Sequence, residues 1–421
     1  MERIIKYLDH IIYWLIVMIP FSIAIAPAPM NVFMGFLILC FLLKKLLMKE
    51  KVFVETAINI PCFFLFIITC LSIFNSLSYK DSIKGGIFRL LLYVLIIFII
   101  VGEVKDKKHI KKVILSIISG AIFVALDGIF QGLIGRDFVR GYKPMIILGL
   151  VRVTASFKDP NTLGIYLSAI APLIFSLTLY YLKKMQKIFF VFISIVVLAG
   201  IILTYSRPTL LAIYIALFLL GTVKKDKILG GFLILLILLL PFILPKPVKE
   251  WAREVDYNPI RFMCNDDRIA IYRNSLNMIK AHPLIGVGAN TYMKNYKFFK
   301  ESPEYRNVVT SDYLYAHNNF LHMAAEIGLI GLGVFIWLLY KLFKESARIY
   351  RGLDDRFFKT VSLSLSACLL AFLVNGLTES SMYSSRVAII FWYLMGLSLA
   401  LKKFIRLRAE GPGVNPDDEC G

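Results

Sequence analysis

Charge is scarce in this chain, and acid scarcer still. Only 18% of its 421 residues are Asp, Glu, Lys or Arg, against about 25% in a soluble domain. Cysteine is sparse too: six residues, with no C-x-x-C pair and no metal-ligand spacing, which removes zinc modules and redox pairs from consideration. Cys40, Cys62, Cys70 and Cys368 sit in apolar runs and read as small hydrophobes. Cys264 stands alone in a polar stretch without a disulfide partner there, and Cys420 lies in the polar tail. No Asp-rich metal motif, inverted repeat, heptad stretch or low-complexity segment is found. A transporter or flippase favours repeats and broken helices in matching positions of two halves, and the sequence shows neither sign.

What is abundant is apolar. Hydrophobic residues make up 58% and aromatics 14% of the chain, gathered in runs long enough to cross a bilayer, which takes roughly 17–25 residues. The expected fold is an all-α polytopic membrane protein with twelve helices, at about 11–28, 31–48, 58–74, 86–102, 112–133, 163–182, 188–204, 208–223, 228–245, 317–341, 360–378 and 386–401. The first run carries Pro20, Pro27 and Pro29 and leads directly into the second, so it reads as a retained anchor and not a cleaved leader. The net charge of +20 does not mean nucleic acid. The basic residues fall in loops or at span ends, and more than half of them fall in alternate short loops with the two termini. The positive-inside rule then places both termini in the cytoplasm.

Four regions follow: residues 1–245 with spans one to nine, a long outer loop at 246–316, spans ten to twelve at 317–408, and a polar tail at 409–421, expected to be disordered. The outer side carries the unusual features. Segment 134–162 is long and basic, with Arg136, Arg140, Lys143, Arg152 and Lys158, and ends in the turn signal Asp159-Pro160-Asn161-Thr162. In Thr204-Tyr205-Ser206-Arg207-Pro208-Thr209, Ser206 is a candidate N-cap and Pro208 a first-turn proline. Such a helix start attracts anions. In the long loop, Asn265-Asp266-Asp267 caps a helix reaching about Ala281, with Ile269, Tyr272, Leu276 and Ile279 on one face, placing it on the membrane or on the bundle. The run His282 to Gly288 stops it, a shorter aromatic helix with Tyr292, Tyr296 and Phe299 follows, and the loop ends at His317-Asn318-Asn319.

Arg207 lies on the face that the topology rule depletes of Arg, so it needs a reason: an anionic substrate, a lipid phosphate or a nearby acid. Arg268 sits in the first turn of the loop helix, where the helix dipole disfavours a cation; Arg273 reads as a solvated face. His317 can accept a proton near neutral pH, although a histidine at a helix start also serves as a cap or packing group. Asp127, Gln131 and Glu326 lie within spans and should find structural partners, for instance an outer Arg. Glu379 and Arg386 could pair with each other or edge the same cavity. A cluster of guanidinium groups with one base suits a pyrophosphate held without a cation.

Four stretches in order resemble the O-antigen ligase/polymerase superfamily: Arg152 to Asn161; Ser206-Arg207; Asp267 to Tyr272 leading to His282 to Gly288; and Ala316 to Leu321 followed by Glu326 to Gly331. The resemblance spans about 150 to 400, with Pro208 where a small residue is expected. It implies a glycosyltransferase of the C class, B-type, in the bacterial inner membrane, with its site at the periplasmic face. The implied reaction moves O-antigen from undecaprenyl pyrophosphate to a lipid A-core hydroxyl, inverting and without metal or other cofactor. Arg207, Arg268 and His317 are the implied catalytic residues, with Arg152, Ser206 and Asn318 also binding substrate. Membrane lipids are partners and nucleic acid is not. A polymerase of the same superfamily, using a second carrier-linked glycan, is the near alternative; a lipid-linked glycan flippase is the distant one.

Overall fold

The computed structural model describes residues 1–147, 149–243, 246–258, 262, 266–301 and 314–405. Cys264, the Asn265 part of the loop-helix cap, Cys420 and the 409–421 tail lie outside the described residues. The helices are α1 (Glu2–Ile25), α2 (Pro27–Met48), α3 (Asn59–Leu71), α4 (Tyr79–Glu103), α5 (Lys107–Ile134), α6 (Pro160–Ser168), α7 (Ala171–Tyr180), α8 (Lys184–Ile202), α9 (Arg207–Lys224), α10 (Lys227–Ile243), α11 (Lys246–Glu254), α12 (Asp266–Ala281), α13 (Tyr292–Tyr296), α14 (Asn319–Gly352), α15 (Arg356–Asn375) and α16 (Ser385–Ala400). Among the described residues ten helices are long and apolar enough to cross a membrane, with α6 and α7 counting as one broken span. The chain is thus a multi-pass helical membrane protein. Shorter apolar helices, α3 and α10, occupy the third and ninth expected positions. Among the described residues the strands form one small antiparallel hairpin, β1 (Met145–Ile147) with β2 (Leu150–Arg152), in the loop after α5.

Local chemistry sets the helix ends. The Asp106 carboxylate accepts the His109 N–H at 2.7 Å to start α5, and Gly135, at φ +83°, ends it, a left-handed stop that glycine takes without a Cβ clash. Asp159 caps α6 through the Thr162 N–H at 2.7 Å, with Pro160 in the first turn. Asp355 caps α15 through Phe357 and Phe358. α16 is buried along its whole length and forms the centre of the bundle.

The short basic loops gather at one end, tied by Lys44 to Glu103 at 2.7 Å and to Asp9 at 2.5 Å, Lys107 to Asp355 at 2.5 Å, and Lys402 to Glu345 at 2.9 Å. The first and last described segments lie at this same end. The segment 134–158, the Thr204–Arg207 turn, α12 and the loop before α16 meet at the other.

Three sequence expectations need correction. Spans are broken: α6 and α7 are separated at Ala169-Ile170, and α14 turns non-helical at Gly328, φ +74° and ψ 177°. The backbone groups that the second break frees are taken up by the outer loop, as buried polar groups in a membrane require. Val287 N–H donates to Ala325 O at 2.9 Å, Gly288 N–H to Glu326 O at 3.0 Å, and Leu329 N–H to Pro283 O at 2.8 Å. The run His282 to Gly288 therefore re-enters the bundle as well as ending α12. Glycine is required at 328, because a Cβ there would lie 2.0 Å from the Leu284 carbonyl oxygen.

The second correction concerns basic residues. Arg89 is not at a span end: α4 begins at Tyr79, so Arg89 sits about 15 Å along it at 1.5 Å per residue. The buried face of α12 also differs from the apolar stripe expected. Ala270, Ile271, Asn274, Ser275, Met278 and Ile279 face inward and Leu276 is exposed. The helix docks on α13, where Asn274 donates to the Tyr296 hydroxyl at 2.9 Å and Ser275 meets the Tyr292 hydroxyl at 2.7 Å. Tyrosines that satisfy polar groups make a face buriable that hydropathy alone assigns to water.

Candidate functional site

Glu379, in the loop between α15 and α16, organises the end of the bundle opposite the basic loops. Its Oε1 accepts from Arg268 of α12 and, at 2.8 Å, from Asn161 Nδ2 of α6. Its Oε2 faces His317 Nδ1 at 3.0 Å. Asn161 relays further: its Oδ1 accepts from Arg152 Nη2 at 2.7 Å, while Arg152 Nε donates to Thr204 O at 2.8 Å. Arg152 and Arg268 thus reach one carboxylate, the first through Asn161 and the second directly. Burial raises the Glu379 carboxyl, but the His317 hydrogen bond and the Arg268 charge outweigh it and hold the group below the usual carboxylate range. Burial pulls the Arg152 guanidinium down from its ordinary value, opposed by Asp159 and Glu379.

His317 is held from three sides. Its backbone is left-handed, φ +47°, a conformation costing of order 1–3 kcal/mol for a non-glycine residue and concentrated at functional sites. Its carbonyl accepts from the Tyr272 hydroxyl at 3.0 Å. Next to it, Asn318 Oδ1 caps α14 through Phe320 and Leu321 N–H at 2.8 and 3.0 Å, and its Nδ2 donates to Leu377 O at 2.8 Å. An ionised carboxylate can only accept, so Nδ1 is the nitrogen that carries the proton toward Glu379, which leaves Nε2 as the position for the lone pair of a neutral ring.

Arg207 opens α9 three residues after Thr204, the carbonyl that holds Arg152. Its guanidinium lies 3.9 Å from the Trp251 ring and 5.1 Å from the Phe262 ring, and it donates to Phe262 O. The preceding Tyr205 is left-handed, φ +48°. Ser206 stands at the N-cap as expected but makes no side-chain cap; its hydroxyl accepts from Thr209 Oγ1 at 2.9 Å. The structure thus brings Arg152, Arg268 and His317 together around Glu379, with Arg207 and Ser206 on the adjoining turn. Asn318 is engaged in holding the turn that carries His317.

Sequence reasoning missed the roles of Glu379 and Asn161. An acid in an outer loop between two spans was a usable signal for the first; Asn161 gave only a turn signal. The pairing of Glu379 with Arg386 does not occur. Arg386 donates instead to Ile23 O, Ala24 O and Ser156 O at 2.7–2.8 Å and stacks 3.5 Å over Phe157, pinning α1 and the 155–157 turn to α16. Among the described residues Asp127 and Glu326 have no Arg partner either. Asp127 Oδ1 accepts the Phe138 N–H at 2.9 Å, and Gln131 binds the Thr154 and Ala155 N–H groups at 2.6 and 2.9 Å; both fold the basic segment after α5. Glu326 Oε1 accepts the Tyr292 N–H at 3.0 Å and meets His322 Nε2 at 3.3 Å. Arg273 is exposed, as expected.

Chemically, the cluster can hold an anion. Each Arg offers five N–H donors in a planar fork, and the imidazole supplies a base beside them. Among the described residues no group of three His, Cys, Asp or Glu side chains is arranged to hold a metal ion. A search of the curated proteins returned no match. Residues 192–336, which carry Ser206, Arg207, Arg268, His317 and the Glu326 to Gly331 run but neither Arg152 nor Glu379, match the family model described as O-antigen ligase, and the likeness to the O-antigen ligase/polymerase superfamily is shown.

Proposed function

We propose that this protein is an O-antigen ligase, an inverting and metal-independent glycosyltransferase of the C class, B-type. It works in the bacterial inner membrane with both termini in the cytoplasm and the Glu379 cluster at the periplasmic face. The donor is a glycan on undecaprenyl pyrophosphate and the acceptor a hydroxyl of the lipid A core. The observation that carries the reading is the convergence of Arg268, Arg152 and His317 on Glu379, beside the turn that carries Arg207.

Arg207 and Arg268 hold the pyrophosphate, and Arg152, Ser206 and Asn318 shape its surroundings. His317 Nε2 takes the proton of the acceptor hydroxyl. That oxygen forms a bond to the anomeric carbon as the carbon–oxygen bond to phosphate breaks, and the electron pair leaves on undecaprenyl pyrophosphate. Attack from the face opposite the leaving group inverts configuration. Preorganised donors to a developing oxyanion are worth about 10²–10³ in rate, and a positioned base about 10²–10⁴. Glu379 fixes the imidazole tautomer, as a carboxylate does beneath a histidine base.

Full-length protein mixed with a lipid-linked glycan and either lipid A core or a second lipid-linked repeat tests the reading, with product separated on a gel. Transfer to lipid A core is expected. Extension of the second repeat alone makes the protein a polymerase, and no product with either acceptor removes the proposal.

A further inference from the structure

A cavity lies away from the Glu379 cluster. It measures about 100 Å³ and is lined by α3, α4, α14, α16 and the turn before α16. A water needs about 10–15 Å³ of such space, so the cavity takes more than one. Its walls are largely apolar, with Leu65, Met323 and Trp392, and two polar groups on one face of α4 are left over. Arg89 lines the cavity half-buried, and among the described residues it has neither a hydrogen bond nor an ion pair. One turn on, the Tyr93 side chain is 6% exposed and its hydroxyl has no hydrogen-bond partner. The Tyr93 ring is fixed by stacking on Trp392, centroids 5.8 Å apart.

Glu326 also lines the cavity, but its carboxylate is engaged by Tyr292, His322 and Tyr383. A guanidinium some 15 Å along a membrane span is a functional group by default. Its fork matches phosphate oxygens, and a hydroxyl donor beside it completes such a match. On the outer side of the same helices, Phe63, Phe88 and Leu92 are exposed, where lipid chains run.

We propose that Arg89 and Tyr93 form a binding site for the phosphate of a membrane lipid, whose chains lie along α3 and α4. This site is separate from the transfer chemistry and stands whether or not that reading does. The test titrates full-length protein in detergent with dioleoylphosphatidylglycerol, undecaprenyl phosphate or dioleoylglycerol, and counts adducts by native mass spectrometry. One tightly held equivalent of a phosphate-bearing lipid is expected. Arg89→Gln should weaken it about tenfold or more, as loss of a charge-assisted hydrogen bond does, and Tyr93→Phe, which keeps the fold, should weaken it less. Arg268→Ala should leave that equivalent in place. Retention of phosphatidylglycerol identifies the ligand as a bulk phospholipid; retention of undecaprenyl phosphate alone identifies the carrier. Equal retention of dioleoylglycerol, or no change in either α4 variant, overturns the proposal.

Discussion

Glu379→Gln keeps the side-chain shape but removes the charge and turns one accepting oxygen into an N–H₂ donor, so it tests what the carboxylate contributes to the donors around it. Two of its partners are charged or become so during proton transfer: Arg268 on Oε1 and His317 Nδ1, 3.0 Å from Oε2. A hydrogen bond to a charged group contributes about 1.5–3 kcal/mol and a neutral one about 0.5–1.5 kcal/mol. The difference is about 1 kcal/mol per partner, and roughly 2 kcal/mol for the pair. The Glu379 side chain is 12% exposed, so screening by solvent is small there; at 33% for His317 it trims the second contribution. At 1.36 kcal/mol per decade, transfer should fall about 10- to 30-fold. The assay is initial rate with saturating lipid-linked donor and acceptor, with melting temperature measured alongside. The loss should appear in kcat more than in KM, because the imidazolium builds its charge in the transition state, and Glu379→Asp should recover part of it. A Glu379→Gln protein within threefold of the parent rate, folded and monodisperse, refutes the idea that this carboxylate positions the base.

The other predictions follow from the same cluster and the loop beneath it. The Glu379 carboxyl is held below its usual range, so its stabilising effect is present above the ordinary carboxylate pKa and is lost as pH falls through the lower native value. The melting-temperature gap between the parent and Glu379→Gln should therefore narrow as pH falls below the usual carboxylate range; a gap that persists undiminished there contradicts the assignment. Arg207→Ala, Arg268→Ala and His317→Ala should each abolish transfer while the protein still inserts in membranes, and full activity in Arg207→Lys together with His317→Ala counts against the mechanism. Gly328→Ala must shift Leu284 or unbend α14, since φ is +74° and the new Cβ would meet that carbonyl. A loss of about 2 kcal/mol or more, read as a lower melting temperature, is expected, and an unchanged value shows that the loop does not brace the break.

Much of the bundle was legible because hydropathy is a strong signal in lipid. The spans through α5, α9 and α15 follow from apolar runs, and Ser206 and Pro208 marked the start of α9; the run at 11–28 marks only part of α1, which is Glu2–Ile25. The break at Gly328 was not legible, because an isolated glycine in an apolar run is ordinary and the break is stabilised by Pro283 to Gly288, forty residues away in sequence. The buried face of α12 was misread for a related reason: Asn274 and Ser275 become buriable only when Tyr296 and Tyr292 arrive from another segment. Arg207 stood out as a cation in a short turn where the positive-inside rule expects few, Arg268 as a cation in a first helical turn, His317 as a base, and Arg152 only as one of several cations in the segment 134–162. Glu379 did not, since a lone acid near Arg386 suggests a local pair, and only the tertiary contacts give each its own partners. Asn161 connects Arg152 to that carboxylate through two hydrogen bonds of its side-chain amide, which no spacing rule anticipates.

The central claim is that Arg207 and Arg268 hold a lipid-linked diphosphate. The direct measurement is the affinity of full-length protein for undecaprenyl pyrophosphate against undecaprenyl phosphate, compared with the Arg207→Ala and Arg268→Ala variants and with His317→Ala. The account predicts tighter binding of the pyrophosphate, a loss of about tenfold or more in each Arg variant, and unchanged binding in His317→Ala. Equal affinity for both lipids, undiminished in both Arg variants, would contradict it.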